Sequence, residues 1–530
     1  MAKDLSARLG AEAGVTFKYC HCEEERRSKL FDCMVIPHVR DRAFSPQAAR
    51  NDKFIKLKYM KRLISVYLSA LLIFVAGAAY AQAKKAKPTS SEWTSLFNGK
   101  NLDGWKQATG SAGYTVQNGM IVGTTVVNSP NSFLVTKKEY GDFVLELDNK
   151  VDDTTSNSGV QTRSHFDQFA NNANGKVYGR QVEIDPSHRR WSGGIYDEGR
   201  RDWLYPVELN AKAKTAYKVG QWNHYKIECI GNSIKTWVNG IPVAYMVDTV
   251  DNSGFLGLQV HSIGNNESEA GKKIYFKNIR IKTTNLVPTP FPAGIYVVNY
   301  VSNNLTAYEK AGGWKLLFDG KTNTGWRSAT SNEFPTKPGG WVVRDGTMTI
   351  LGSAGGEAAN VGDIITRDQY SAFDLSFEFR MSTGANSGVK YFVTLNEDTK
   401  GSAIGLEYQV LDDKVHPDAK LGRNGDRTLA SLYDLIPANK QERFTRPIGA
   451  WNTGRIVVYP NNHVEHYLNG VKVLEYERGS KEFKDLVAIS KYVIWKNFGE
   501  ARQGHILLQD HGFEVNFRSI KIKELHSQNH

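Results

Sequence analysis

Cysteine is scarce in this chain. Four occur in 530 residues, and Cys20, Cys22 and Cys33 all lie near the start. Past them only Cys229 remains, so no internal disulfide can staple the bulk of the chain. In the stretch HYKIECI it reads as a small core residue on a strand. The Cys20, Cys22 and Cys33 spacing fits no closed four-ligand zinc site. No sustained 3.6-residue apolar period stands out in the second half, which argues against long helices. A basic stripe interleaved with aromatics is also missing, although the net charge is +12, and this excludes a nucleic-acid partner. Residues 1–62 carry 14 Lys/Arg against 8 Asp/Glu, half of that excess. No catalytic triad, phosphate loop or zinc signature follows residue 81.

One long apolar run is present. From Met60 the chain reads MKRLISVYLSALLIFVAGAAYAQA: Lys61 and Arg62, an apolar stretch from Leu63 to Ala79, then a small-x-small site at Ala79-Tyr80-Ala81. This pattern is a secretory signal peptide over 60–81, too short for a comfortable membrane span of roughly 20 residues. It places the mature protein in the periplasm or outside a bacterial cell, with no stable membrane span after cleavage. The simplest reading of residues 1–59 is a start assigned too early, with Met60 as the true start. A translated extension with an uncleaved anchor is the rival.

The remainder is written twice. LFNGKNLDGW (96–105) returns as LFDGKTNTGW (317–326), YTVQNGMIVG as WVVRDGTMTILG, and SNSGVQTR as ANSGVKYF. QVEID, GGIYDE, GQWNHYKI, WVNG and LGLQVH return as EYQVLD, ASLYDL, GAWNTGRI, YLNG and ILLQDH. The repeats span 91–283 and 312–526, each the size of one β-sandwich. The join, 284–311, carries Pro288, Pro290 and Pro292 in TNLVPTPFPAG (284–294) and reads as a stiff, extended linker.

Each repeat reads as antiparallel β. In FDLSFEFRM, Phe373, Leu375, Phe377, Phe379 and Met381 alternate with Asp374, Ser376, Glu378 and Arg380, which predicts one buried and one wet face. Asn239-Gly240 and Asn469-Gly470 predict type I′ hairpins. The apolar phase slips once in the last strand of each repeat, predicting bulges at Lys277-Asn278 and Arg518-Ser519. Many short strands with turns between them indicate two-sheet sandwiches. Trp105 and Trp326 are expected in the core or at a sandwich edge.

These motifs, in this order and twice over, resemble the 3-keto-disaccharide hydrolase domain family. The resemblance implies tandem concanavalin A-like jelly-roll sandwiches, secretion, and action on glycosides whose C3 hydroxyl is oxidised to a ketone. A C3 ketone acidifies C2–H. A base removes that proton, the C1 substituent leaves from the enolate, and water adds back. The site must hold a base, an acid for the leaving oxygen, and donors or a cation at the ketone oxygen. Two other readings stay open: a lectin-like module without catalysis, and an ordinary glycosidase with two carboxyls about 5–9.5 Å apart.

The polar face of the middle strand offers the base. In the second repeat Glu407 and Gln409 alternate with Tyr408 and Val410; in the first, Gln181, Glu183 and Asp185 alternate with Val182 and Ile184. Aligning Gln181 with Glu407 puts Glu183 on Gln409, the same pair in swapped order. Glu407 or His511 is the expected base. His511 and Gln509 in LLQDHG recur as His261 and Gln259 and serve as acid/base and hydroxyl partners. Lys390 and Arg163 are candidate cations, although Lys390 aligns with Gln161 and Arg163 with Phe392. Tyr433-Asp434 and Tyr196-Asp197 follow in loops that can close over a sugar. Trp191 and Trp203 offer stacking faces, while Arg189, Arg190, Arg200 and Arg201 read as solvated. Asn157 and Asn386 open NSG, whose glycines read as turn residues. The chemistry requires no cofactor. A divalent cation on His416, His466, Asp412 and Asp413 would also polarise a ketone. The second repeat keeps the motifs more fully and is the expected active copy.

Overall fold

The computed structural model describes residues 92–173, 175–336, 340–353, 362–395 and 403–526. The leader cysteines, the 1–59 extension and the 60–81 signal peptide lie outside them. Among the described residues no helix is long and apolar enough to cross a membrane.

Both repeats fold as two-sheet sandwiches. In the first, a nine-stranded sheet covers a seven-stranded one, ordered Asp202–Tyr205, Ile195–Glu198, Lys176–Ile184, Ser158–Asp167, Gly254–Val260, Ser132–Tyr140, Trp105–Thr109. In the second, an eight-stranded sheet covers a five-stranded one, ordered Trp326–Ser328, Ile364–Thr366, His505–Leu508, Asn386–Leu395, Ala403–Leu411. Each sandwich encloses its own apolar cluster.

The repeated LF-x-G-K motif earns its spelling locally. Asn98 and Asp319 each accept backbone N–H bonds from the turn that follows, at 2.7–3.0 Å. The indole N–H of Trp105 then donates to Leu96 O at 2.7 Å, and that of Trp326 to Leu317 O at 2.6 Å. Both tryptophans are buried, as expected. Asn239-Gly240 and Asn469-Gly470 take positive φ at both positions, the type I′ requirement. Asn278 and Ser519 have positive φ where the ladders shift register, so both expected bulges are present. Cys229 is a fully buried strand residue.

The expected wet face of Phe373–Met381 is not wet. Asp374, Ser376 and Glu378 are all buried. Arg455 clamps Asp374 with two bonds of 2.7 Å, Arg518 Nε holds Glu378 at 3.0 Å, and Ser376 Oγ meets Tyr296 OH at 2.9 Å. The linker and the first sandwich lie over this sheet. Alternation along a strand reports which face differs, and says nothing about a second layer arriving from elsewhere. The linker itself is tied down: Val298–Asn299 pairs in parallel with Ile241–Val247, and Phe291 packs edge-on against Trp237 and Tyr245. Phe444, Val457 and Tyr467 of the second sandwich join the first sandwich's apolar cluster.

Candidate active site

In the second sandwich, Asn386–Leu395 pairs with Ala403–Leu411 so that Lys390 faces Glu407 and Gly388 faces Gln409. Directly opposed residues of an antiparallel pair share a face. Lys390 Nζ lies 4.0 Å from Glu407 Oε2. Gly388 is needed here for space: a Cβ would come within 2.3 Å of Glu407 Oε1. Gly159 plays the same part beneath Gln181 in the first sandwich. These glycines sit inside strands, which corrects their reading as turn residues. With its amide oriented to satisfy its neighbours, Gln409 donates to Glu407 Oε1 at 3.2 Å and to Ser387 O at 2.9 Å.

Burial raises the Glu407 carboxyl above its ordinary range; Lys390, Lys491 and His511 pull it down, and Asp363 pushes it up. The His511 imidazole is thus near enough for its charge to be felt at Glu407. His511 Nδ1 and Gln509 Oε1 are buried and find no hydrogen-bond partner among the described residues. Tyr433 walls the site: its N–H donates to Glu407 O at 3.0 Å, its hydroxyl to Asp418 at 2.8 Å, and Lys491 Nζ stands 4.2 Å over its ring.

The sequence reading missed Lys491. It rides on 478–504, which holds a helix (Lys481–Ala488) and a 3-10 turn (Lys491–Ile494); in the first sandwich the same connection is only 248–253. That length difference between repeats is the signal that marks it. Asp434 docks the segment, accepting from Lys491 N at 2.7 Å and from Arg427 Nε at 2.8 Å. Asp434, expected at the sugar, is thus engaged in holding the loop.

The first sandwich has the equivalent ladder. Gln161 faces Gln181 and Gly159 faces Glu183, so Gln181 stands where Glu407 does and Glu183 where Gln409 does. A cavity of about 290 Å³ is lined by Gln181, Glu183, Tyr196, Gln259 and His261 among others. Gln181 Nε2 donates to Glu183 Oε1 at 2.8 Å, and Gln161 Nε2 to Gln181 Oε1 at 2.8 Å. Glu183 is pushed well up, chiefly by burial, and Asp185 and Glu198 add to this. Burial also lowers the His261 imidazole. Asp185 sits beside this pocket, paired with Arg189 at 2.8 Å.

Glu198 lines the pocket and was not singled out. Strand period would have found it, since Tyr196 and Glu198 share a face and Asp197 points the other way. Asp197 is instead fully buried among Arg200 and Arg201 in an ion network with Asp248 and Asp251, so neither it nor those arginines serve as expected. Trp191 is no stacking platform: it is buried against Trp203 and Phe444, ring centroids 4.6 and 5.5 Å away. Arg163 is also misplaced by the pattern. Its φ of 48° marks a bulge, matched by Phe392 at 52°, and this turns it from the site towards Gly141, Asp142 and Gly231. The proposed metal set does not assemble. His466 is buried against Tyr391 at 2.9 Å with its pKa lowered to about 4, while Asp412 caps Gly384 N and Lys414 N and Asp413 takes Leu429 N. His416 does lie near His511, ring centroids 6.4 Å apart. Among the described residues the group able to hold an ion is His463, Glu465 and Glu475, and Lys472 already pairs with both glutamates.

The family described as 3-keto-alpha-glucoside-1,2-lyase-like domain matches residues 92–282 and 313–523. The chain belongs to this family. A 3-keto-disaccharide hydrolase of Bacteroides thetaiotaomicron is 39% identical over 236 residues, covering 41% of this chain and 79% of the relative. A crystal structure of a candidate glycosyl hydrolase from Parabacteroides distasonis is 30% identical over 42% of this chain and 100% of its own, with a TM-score of 0.37. A carbohydrate-binding module of Bacillus subtilis covers 33% of this chain and 94% of its own at 19% identity and a TM-score of 0.24. The chain therefore carries two tandem copies of a carbohydrate-active family's domain.

Proposed function

We propose that the second sandwich cleaves 3-keto-glycosides, 3-keto-disaccharides among them, by proton abstraction, elimination and hydration. Glu407 as carboxylate takes the proton from C2. The electron pair moves into the C2–C3 bond and then to the C3 oxygen, where Lys390 and Lys491 supply positive charge. The enolate re-forms its ketone, the C1–O bond breaks, and His511 protonates the departing oxygen. Water then adds at C1 of the resulting enone and C2 regains a proton, so the net reaction is hydrolysis. Gln409, Gln509 and Tyr433 hold sugar hydroxyls. Lysine charge does the work a metal would do, so no cofactor is required. The signal pattern at 60–81 supports a periplasmic or secreted site of action.

The observation that carries this reading is the buried Glu407 carboxyl 4.0 Å from Lys390, its pKa raised by burial towards the range of a useful general base. The unpartnered His511 Nδ1 and Gln509 Oε1 beside it await a polar ligand. Incubation with 3-ketomaltose and with maltose tests it. Release of the sugar fragments from the ketone alone is expected; cleavage of neither, with or without added divalent metal, would remove the proposal.

A further inference from the structure

The first sandwich lacks a carboxylate and a lysine at the ladder positions of Glu407 and Lys390 but has a pocket. Gln181 and Gln161 replace Glu407 and Lys390, and they bond to each other at 2.8 Å, with Ser164 Oγ donating to Gln161 Oε1 at 2.6 Å. Amides so engaged neither abstract a proton nor stabilise an enolate. Yet the cavity of about 290 Å³ approaches the small end of ligand sites. Gln181, Glu183 and Gln259 in its lining are buried, and one donor points nowhere: Gln259 is fully buried and its Nε2 has no partner among the described residues. A stranded buried donor is costly unless something accepts from it.

The cavity is also shared between the repeats. Arg443, on the Glu442–Phe444 turn of the second sandwich, lines it with Arg189, Glu198 and Trp203 of the first. The turn is fixed in place. Phe444 is buried against Trp191, and Arg446 Nη2 donates to Trp203 O at 2.9 Å. Arg189 and Arg443 line it together with the carboxyls of Glu183 and Glu198, so the lining offers both donors and acceptors to hydroxyls, which both accept and donate.

We propose that the first sandwich is a second saccharide site, holding an uncharged sugar without cleaving it, and that Arg443 of the second sandwich completes it. The proposal rests on the saccharide reading of the second sandwich. A catalytic domain beside a holding domain on one rigidly packed chain raises the local concentration of a chain-like or clustered substrate at the cleaving site.

Calorimetric titration of the full-length Glu407→Gln protein with maltose and with 3-ketomaltose tests it. Two classes of site per chain are expected. Arg443→Ala, an exposed position that leaves the fold intact, should weaken one class at least fivefold, and Gln259→Leu should abolish that same class. A single class, or two classes that both ignore Arg443→Ala, overturns the proposal. A parallel cleavage assay of the unsubstituted protein separates the two readings. Cleavage of 3-ketomaltose with one class of site sinks the holding site alone. Two classes without cleavage sink the catalytic reading alone. No binding of either sugar sinks both.

Discussion

The two sandwiches share a backbone plan down to a positive-φ bulge at Arg163 in one and Phe392 in the other. They differ in what stands on the shared ladder. The second presents Lys390 and Glu407 with Gln409 as donor; the first presents Gln161 and Gln181 with Glu183 as acceptor. The second adds 478–504 and with it Lys491; the first turns back within 248–253. One scaffold therefore carries a buried acid countered by two lysines, and beside it a buried acid countered by amides. In the first the carboxyl is pushed well up, whereas in the second the lysines hold it down against burial. In the reading proposed above, charge placed two residues away on the same face separates a reactive site from a holding site.

Erasing that difference should have the largest effect. Glu407→Gln makes the second ladder resemble the first and is expected to lower kcat/KM on 3-ketomaltose by about 10²–10⁴-fold. Lys390→Gln copies Gln161 and removes one source of charge at the enolate oxygen. It should cost about 10²-fold, mostly in kcat, read by steady-state kinetics. Phe444→Ala removes the side chain that joins the second sandwich to the first one's core. It should destabilise the protein by about 3 kcal/mol in denaturant melts.

Lys491→Ala sharpens the comparison through pH. Glu407 must be ionised to act, so kcat/KM rises with pH through its pKa, and that limb lies above the ordinary carboxylate range. Removing Lys491 removes a charge that favours the ionised form, so the limb should move to still higher pH. The smallest expected effect is on stability. His466 is buried neutral, with its pKa lowered from 6.5 to about 4. The unfolded chain then binds more protons, so stability present above pH 6.5 is lost as pH falls towards 4. The melting temperature should drop across that window, and His466→Gln should flatten the slope.

Much of this was legible in the sequence, for a physical reason. Repetition, two-residue period and Asn-Gly turns are local properties, so the duplicated sandwich, the hairpins, the paired bulges and the swapped Glu–Gln ladder could all be read directly. What could not be read was set by distant chain. Asp374 and Glu378 pattern as wet because their own strand cannot report the linker and first sandwich lying over them. Arg163 patterns onto the site face because alternation assumes an unbroken ladder, and the bulge breaks it. Lys491 arrives from an insertion whose sequence carries no catalytic motif. Glu198, unlike these, was legible: period two puts it on the face of Tyr196 and turns Asp197 away.

The central claim is that chemistry belongs to the second ladder and depends on an oxidised sugar. The most direct measurement follows product release from 3-ketomaltose and maltose by the unsubstituted protein and by Glu407→Gln. The account predicts release from the ketone only, falling at least 10²-fold in Glu407→Gln. Equal rates in the two proteins, or equal cleavage of maltose, would contradict it.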